Sequence, residues 1–234
     1  MTAPDILLRG VVGSHAYGLA TEDSDVDRLG VFAWPTGHIL RLRPPAESII
    51  TSSPDTALHE ARKFVSLALK CNPTVTELLW LPDRLYEVIT PLGEQLIGIR
   101  QSLLSSTYVR NAYLGYATQQ FRRLENRSEH GDHSFSSDTK KRTAKHAWHL
   151  ARLTEQGVLL YTEGKLDVRV TDPGFYHDFG EEVAAGDTGI AKLKIGQAET
   201  AMDTMGSVLP EHADETAAEA WLQAVRREYY KLPG

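Results

Sequence analysis

Four carboxylates, Glu22, Asp23, Asp25 and Asp27, fall within six residues of one another between two strongly apolar stretches. Upstream, "ILLRGVV" brings Ile6, Leu7, Leu8, Val11 and Val12 into a run that reads as buried and stops at Gly13. Downstream, "DVDRLGVFAW" is rich in Val, Phe and Trp and stops at Pro35, which is the composition and punctuation of a strand. Between them, "SHAYGLA" is long enough for one or two helical turns, with Ser14 as the expected N-cap. Neighbouring anions repel each other unless a cation neutralises them, so a fold that keeps these acids together needs a compensating partner.

Asp25 and Asp27 are two residues apart. On a strand, period-two geometry would send both carboxylates to one face. Paired hard oxygen ligands suit Mg²⁺ or Mn²⁺, above all when substrate phosphates complete the shell. Ahead of them, Gly13 allows close backbone approach, and the hydroxyl and N–H groups at Ser14 suit a phosphate. A phosphate holder, a short helix and a metal-binding strand are the parts that nucleoside triphosphate chemistry requires. Asp23, Asp25 and Asp27 also match the opening of a calcium loop, but Arg28 stands where glycine is needed and Trp34 where the closing glutamate belongs. A plain acidic turn is the remaining alternative, with Asp23 read as a turn residue.

Composition bounds the rest. The 234 residues are 41% hydrophobic and 24% charged, as in globular chains. The single cysteine, Cys71, has no internal disulfide partner and follows the apolar "FVSLAL", so it reads as a packed residue in a reducing cytoplasm. No signal peptide or membrane-length apolar segment is evident. The net charge of −6 argues against indiscriminate nucleic-acid binding, yet it is unevenly spread. Residues 121–152 carry eight bases and four acids, whereas 171–234 carry five and twelve, which makes the middle segment the natural place for an anionic ligand.

"HILRL", "ESIIT" and "KLDVRV" read as short strands. Leu58, Ala61, Val65, Ala68 and Leu69 share a helical face, and "TVTELLWL" suits another helix. Long proline-poor helices dominate from about residue 90 to 162, interrupted by the polar "SEHGDHSFSSD". Further helices fit 188–206 and 214–230. The expected organisation is an α/β nucleotide-handling domain over 1–90 and a helical domain over 91–234.

"GSHAYGLATEDSDVD" resembles the signature of the DNA polymerase β-type nucleotidyltransferase superfamily, a Gly-Ser turn followed by Asp-x-Asp. With "HEARKFVSLALKCNPTVTELLW" and "KHAWHLARL", it resembles more narrowly the RNA repair pathway DNA polymerase β family of nucleotidyltransferases. The resemblance implies an α/β (α+β) fold, a short mixed sheet with flanking helices followed by a helical C-terminal region. It implies two divalent ions held by Asp25, Asp27 and a third carboxylate, with Gly13 and Ser14 binding the β and γ phosphates of an NTP. One ion would activate an attacking hydroxyl and the other hold the triphosphate while pyrophosphate leaves. It makes an RNA end, tRNA-like or otherwise, the leading acceptor. Protein AMP-transfer is a competing choice, and a non-catalytic nucleotide or RNA sensor, or an antitoxin-like partner of the same fold, is the rival class.

The third carboxylate is open in the sequence. Asp55 is preferred if it begins a strand, although Ser53-Pro54-Asp55 also suits a helix start. Glu60, Glu47 and Glu77 are alternatives. Arg62 and Lys63 follow and could pair with phosphate or be solvated helix charges. Lys145, His149 and Arg152, spaced by four and three, could meet a nucleotide or acceptor or be the wet face of an amphipathic helix. Tyr113, Tyr116 and Phe121 interleave with arginines but suit a core at helical spacing. The cluster of His130, Asp132, His133, His146 and His149 lacks the ligand spacing of a compact zinc site.

Overall fold

The computed structural model describes residues 4–129 and 137–230. It begins with β1 (Asp5–Val12), α1 (Gly13–Tyr17), β2 (Asp27–Ala33), α2 (Thr36–Ile39), β3 (Ser48–Ser52), β4 (Asp55–Glu60), α3 (Ala61–Ala68), α4 (Pro73–Leu78), β5 (Tyr86–Ile89) and α5 (Pro91–Gly98). Four helices follow, α6 (Ser106–Glu129), α7 (Ser137–Glu163), α8 (Pro173–Ala184) and α9 (Gly189–Met205), and α10 (Glu215–Glu228) closes the chain. The fold is mixed α/β with a helical C-terminal region.

The strands form one five-stranded sheet in the order β3-β4-β2-β1-β5. Every pairing is antiparallel except β2 with β4. The two long apolar runs become adjacent strands, β1 and β2, at the centre of the sheet. Phe32, Trp34 and Leu58 make a core on one face, with Ile6, Ile39 and Ile49 against it. Leu29, Val31 and Ala33, of opposite parity, are buried too, so β2 is covered on both sides.

Two compact units result, one of residues 1–105 with 212–234 and the other of 106–211. The expected division at residue 90 differs from this in α5, which packs on β1 and β5, and in α10, which packs on α5 and α3. Hydrophobic burial explains it: α10 sinks Ala218, Trp221 and Val225, and Trp221 Nε1 donates to the Leu92 carbonyl at 2.8 Å. Arg226 on α10 reaches Glu60 with both terminal nitrogens, at 2.7 and 3.1 Å. In the second unit α6 and α7 run antiparallel, Tyr113 lying against Gly157 and Gln120 against His146.

Several expectations are corrected. "HILRL" is α2 followed by an exposed turn, not a strand, because the Thr36 N–H and hydroxyl donate to the carbonyls of Tyr229 and Arg226 at the end of α10. "KLDVRV" keeps the alternation of a strand, with Leu166, Val168 and Val170 buried, but has no strand beside it. The Gln156 amide supplies donors instead, to the Asp167 and Val168 carbonyls at 2.8 and 3.2 Å. Leu58 belongs to β4, and the helix it was read into starts at Ala61, capped by the Glu60 carboxylate. β5 and α8 were not anticipated. His130, Asp132, His133 and most of "SEHGDHSFSSD" lie outside the described residues.

Candidate active site

β1 delivers the chain directly into the Gly-Ser turn. Val12 pairs with Asp27 at the last rung between β1 and β2, and Gly13 follows with φ +70°. A β-carbon at Gly13 would overlap Asp27 Oδ2 and lie 3.2 Å from its Cγ. Only glycine meets both demands, a left-handed backbone and a carboxylate pressed against Cα. Ser14 is not the N-cap, as α1 already begins at Gly13 and no side chain caps it, so its hydroxyl is not spent on the helix end. Gly18, at φ +77°, ends α1 in the left-handed region.

The acidic segment is a knotted turn. Ser24 N–H donates to the Thr21 carbonyl at 3.0 Å, and the Ser24 hydroxyl accepts from Thr21 N–H at 2.9 Å. His15 on α1 holds this turn through Nε2, which lies 3.1 Å from the Ser24 carbonyl oxygen. A carbonyl only accepts, so Nε2 carries the hydrogen. Asp25 is exposed in the stretch after the turn, and β2 starts only at Asp27. The expectation of both acids on one strand is therefore corrected. The direction of Asp27 is set by the sheet, that of Asp25 by the turn that His15 fastens.

Among the candidate third acids, position separates the four. Arg28 pairs with Thr56 in the parallel ladder, so Asp27 and Asp55, one residue earlier, begin neighbouring strands side by side. Registered residues on parallel strands share a face about 5 Å apart. Asp55 is exposed at that rim, after the Ser53-Pro54 turn of the β3–β4 hairpin. Glu60 has the opposite parity, pairs with Phe32, is 4% exposed and is engaged by Arg226. Glu47 is ion-paired to Arg62, and the buried Glu77 accepts from Tyr17 at 2.7 Å. Asp25 and Asp55 enter no ion pair among the described residues.

The basic candidates divide. Arg62 turns to Glu47. Lys63 lies near His59, whose pKa is lowered first by burial and then by that ammonium. Arg152, 2% exposed, donates to Gln156 Oε1 at 2.5 Å and to His149 Nδ1 at 3.1 Å. Burial, then the Arg152 charge, pushes the His149 pKa down to about 2, which leaves the imidazole neutral. Of the three residues on α7, only Lys145 is exposed. Sequence reasoning missed His15, Tyr17 as the partner of Glu77, and Arg226; His15 and Tyr17 sit inside the Gly13–Asp27 run, and Arg226 carries no local signal.

Carboxylate oxygens are the donors a hard divalent cation takes, and Asp27 and Asp55 begin adjoining strands, with Gly13 leaving the Asp27 oxygen room. Among the described residues, however, no three His, Cys, Asp or Glu side chains are gathered into a metal-holding group. No described helix is long and apolar enough to cross a membrane. The family model described as the RNA repair pathway DNA polymerase beta family matches residues 2–171. No protein of curated function matches the chain.

Proposed function

The chain belongs to the RNA repair pathway DNA polymerase beta family, and from that premise we propose that it transfers a nucleoside monophosphate from an NTP to a hydroxyl, with an RNA end as acceptor. In this reading a hydroxyl oxygen attacks the α-phosphorus, the bond from that phosphorus to the β-bridging oxygen breaks, pyrophosphate leaves and the hydroxyl proton passes to solvent. Asp25, Asp27 and Asp55 would hold Mg²⁺ or Mn²⁺. Such ions, when bound, activate the hydroxyl and offset charge on the departing phosphates. Ser14 and the Gly13 backbone receive the terminal phosphates, and Lys63 is a candidate cation for them. Arg62 has a weaker part, given its pairing with Glu47. On α7, Lys145 is the residue available to the acceptor, while His149 and Arg152 form its buried support.

The observation that carries this reading is the packing of the Asp27 carboxylate on Gly13, which sets a would-be metal ligand against the phosphate turn. The test incubates each labelled NTP with Mg²⁺ or Mn²⁺ and a mixed RNA pool. Wild type should release pyrophosphate and label RNA, and the double variant Asp25→Ala, Asp27→Ala should do neither. Equal signal from the double variant removes the mechanism.

A second reading, a non-catalytic nucleotide or RNA binder of the same fold, is favoured by the absence of a three-carboxylate cluster among the described residues. Saturable NTP binding without pyrophosphate release would select it.

A further inference from the structure

The second unit carries a cationic surface of which the reading above uses only Lys145. Gln120 Oε1 and His146 Nδ1, 2.7 Å apart, fix the register of the antiparallel helices α6 and α7. Around that rung Arg123 on α6, and Lys141, Arg142 and Lys145 on α7, are all exposed. Arg123 and Lys145 both act on the charge of His149, so the two helices present their bases to a shared region. Among the described residues Arg123, Lys141, Arg142 and Lys145 enter no ion pair.

Such a grouping is costly. Lys141 with Lys145, and Arg142 with Lys145, are like-charge pairs at helical contact spacing, which destabilises a helix. It persists in a chain whose net charge is −6. The cations are spread over two helices rather than converging on one point, which suits repeated phosphates better than a single anion. Two turns before Arg123 on α6, Tyr116 is 36% exposed and offers a ring on which a base can stack.

We propose that this α6–α7 surface binds the phosphodiester backbone of a single RNA strand, the acceptor of the reading above. The inference rests on that reading for the identity of the acceptor, and its test needs neither NTP nor metal.

The experiment is fluorescence anisotropy of the full chain with a labelled single-stranded RNA oligonucleotide across a KCl series. The triple variant Arg123→Ala, Lys141→Ala, Arg142→Ala is compared with Arg41→Ala, Arg43→Ala, which removes two exposed arginines from the first unit. The triple variant should bind at least tenfold more weakly, with the slope of log K against log salt shallower by about 2. The Arg41, Arg43 variant and the binding of a fluorescent NTP analogue to the triple variant should stay within twofold of wild type. Wild-type affinity and slope in the triple variant, an equal loss in the comparator, or binding of inorganic polyphosphate but not RNA overturns the proposal. Failure of NTP turnover with intact, surface-dependent RNA binding removes only the transferase reading.

Discussion

The carboxylate of Asp27 packs against the α-carbon of Gly13, where a methyl group would overlap Oδ2. Gly13 follows the last residue of β1 and Asp27 begins β2, the two strands being joined through the Val12–Asp27 rung. Gly13→Ala therefore meets two penalties, a left-handed backbone worth ~1–2 kcal/mol and displacement of the Asp27 side chain. The expected outcome is a urea midpoint lowered by that energy and pyrophosphate release reduced at least tenfold. Undiminished turnover in Gly13→Ala would show that the contact has no part in the chemistry.

The bond from His15 to the Ser24 carbonyl fastens the turn that precedes Asp25. His15→Ala loses the donor, whereas Gln can place an amide N–H where Nε2 stood. Isothermal titration with Mn²⁺ should give an affinity reduced about tenfold, ~1.4 kcal/mol, for the alanine variant and near wild type for glutamine. Identical Mn²⁺ binding by all three proteins would exclude this tether as a determinant of the site.

Asp55 and Glu60 should behave oppositely. Arg226→Met leaves the buried Glu60 carboxylate without its bidentate partner and should cost ~3 kcal/mol in chemical denaturation. Asp55→Asn, at an exposed strand start, should change stability by no more than ~0.5 kcal/mol while abolishing nucleotide transfer. Full transfer by Asp55→Asn, with loss in a folded Glu60→Gln, would reverse the assignment.

His149 gives the second unit an acid-sensitive element. Burial and Arg152 hold its folded-state pKa near about 2, against 6.5 for an unhindered imidazole. The unfolded chain takes up a proton that the folded one refuses, so the stabilisation is whole above pH 6.5 and drains away as pH falls towards 2. Between pH 6.5 and 5, wild type should lose stability at about 1 kcal/mol per pH unit. His149→Gln should flatten that slope. Superimposable pH–stability curves for the two proteins would contradict the burial argument.

Much of the site was legible because it is local. The run from Gly13 to Asp27 holds the Gly-Ser turn, the helix and both candidate metal-binding aspartates, Asp25 and Asp27, and short-range geometry brings its ends together. The short elements were less legible. β5 offers only four residues of alternation, and α8 announced itself just by Asp172 and Pro173, a cap and an N1 proline. "KLDVRV" shows the limit of periodicity: the alternation of burial is real, but a strand also needs a neighbour to accept its hydrogen bonds.

By itself, then, the sequence determined which runs are buried, where the chain turns between them, and that a glycine-serine pair and Asp25 and Asp27 fall in the segment joining two apolar runs. Only the tertiary structure decided that Asp55 and Asp27 begin neighbouring parallel strands while Glu60 is held by Arg226, and that α10 packs on α5 and α3. The physical reason is range. Turns and helical faces follow from side chains a few residues apart, whereas the parallel register of β2 with β4 and the docking of α10 depend on how distant apolar surfaces find each other, which no local pattern encodes.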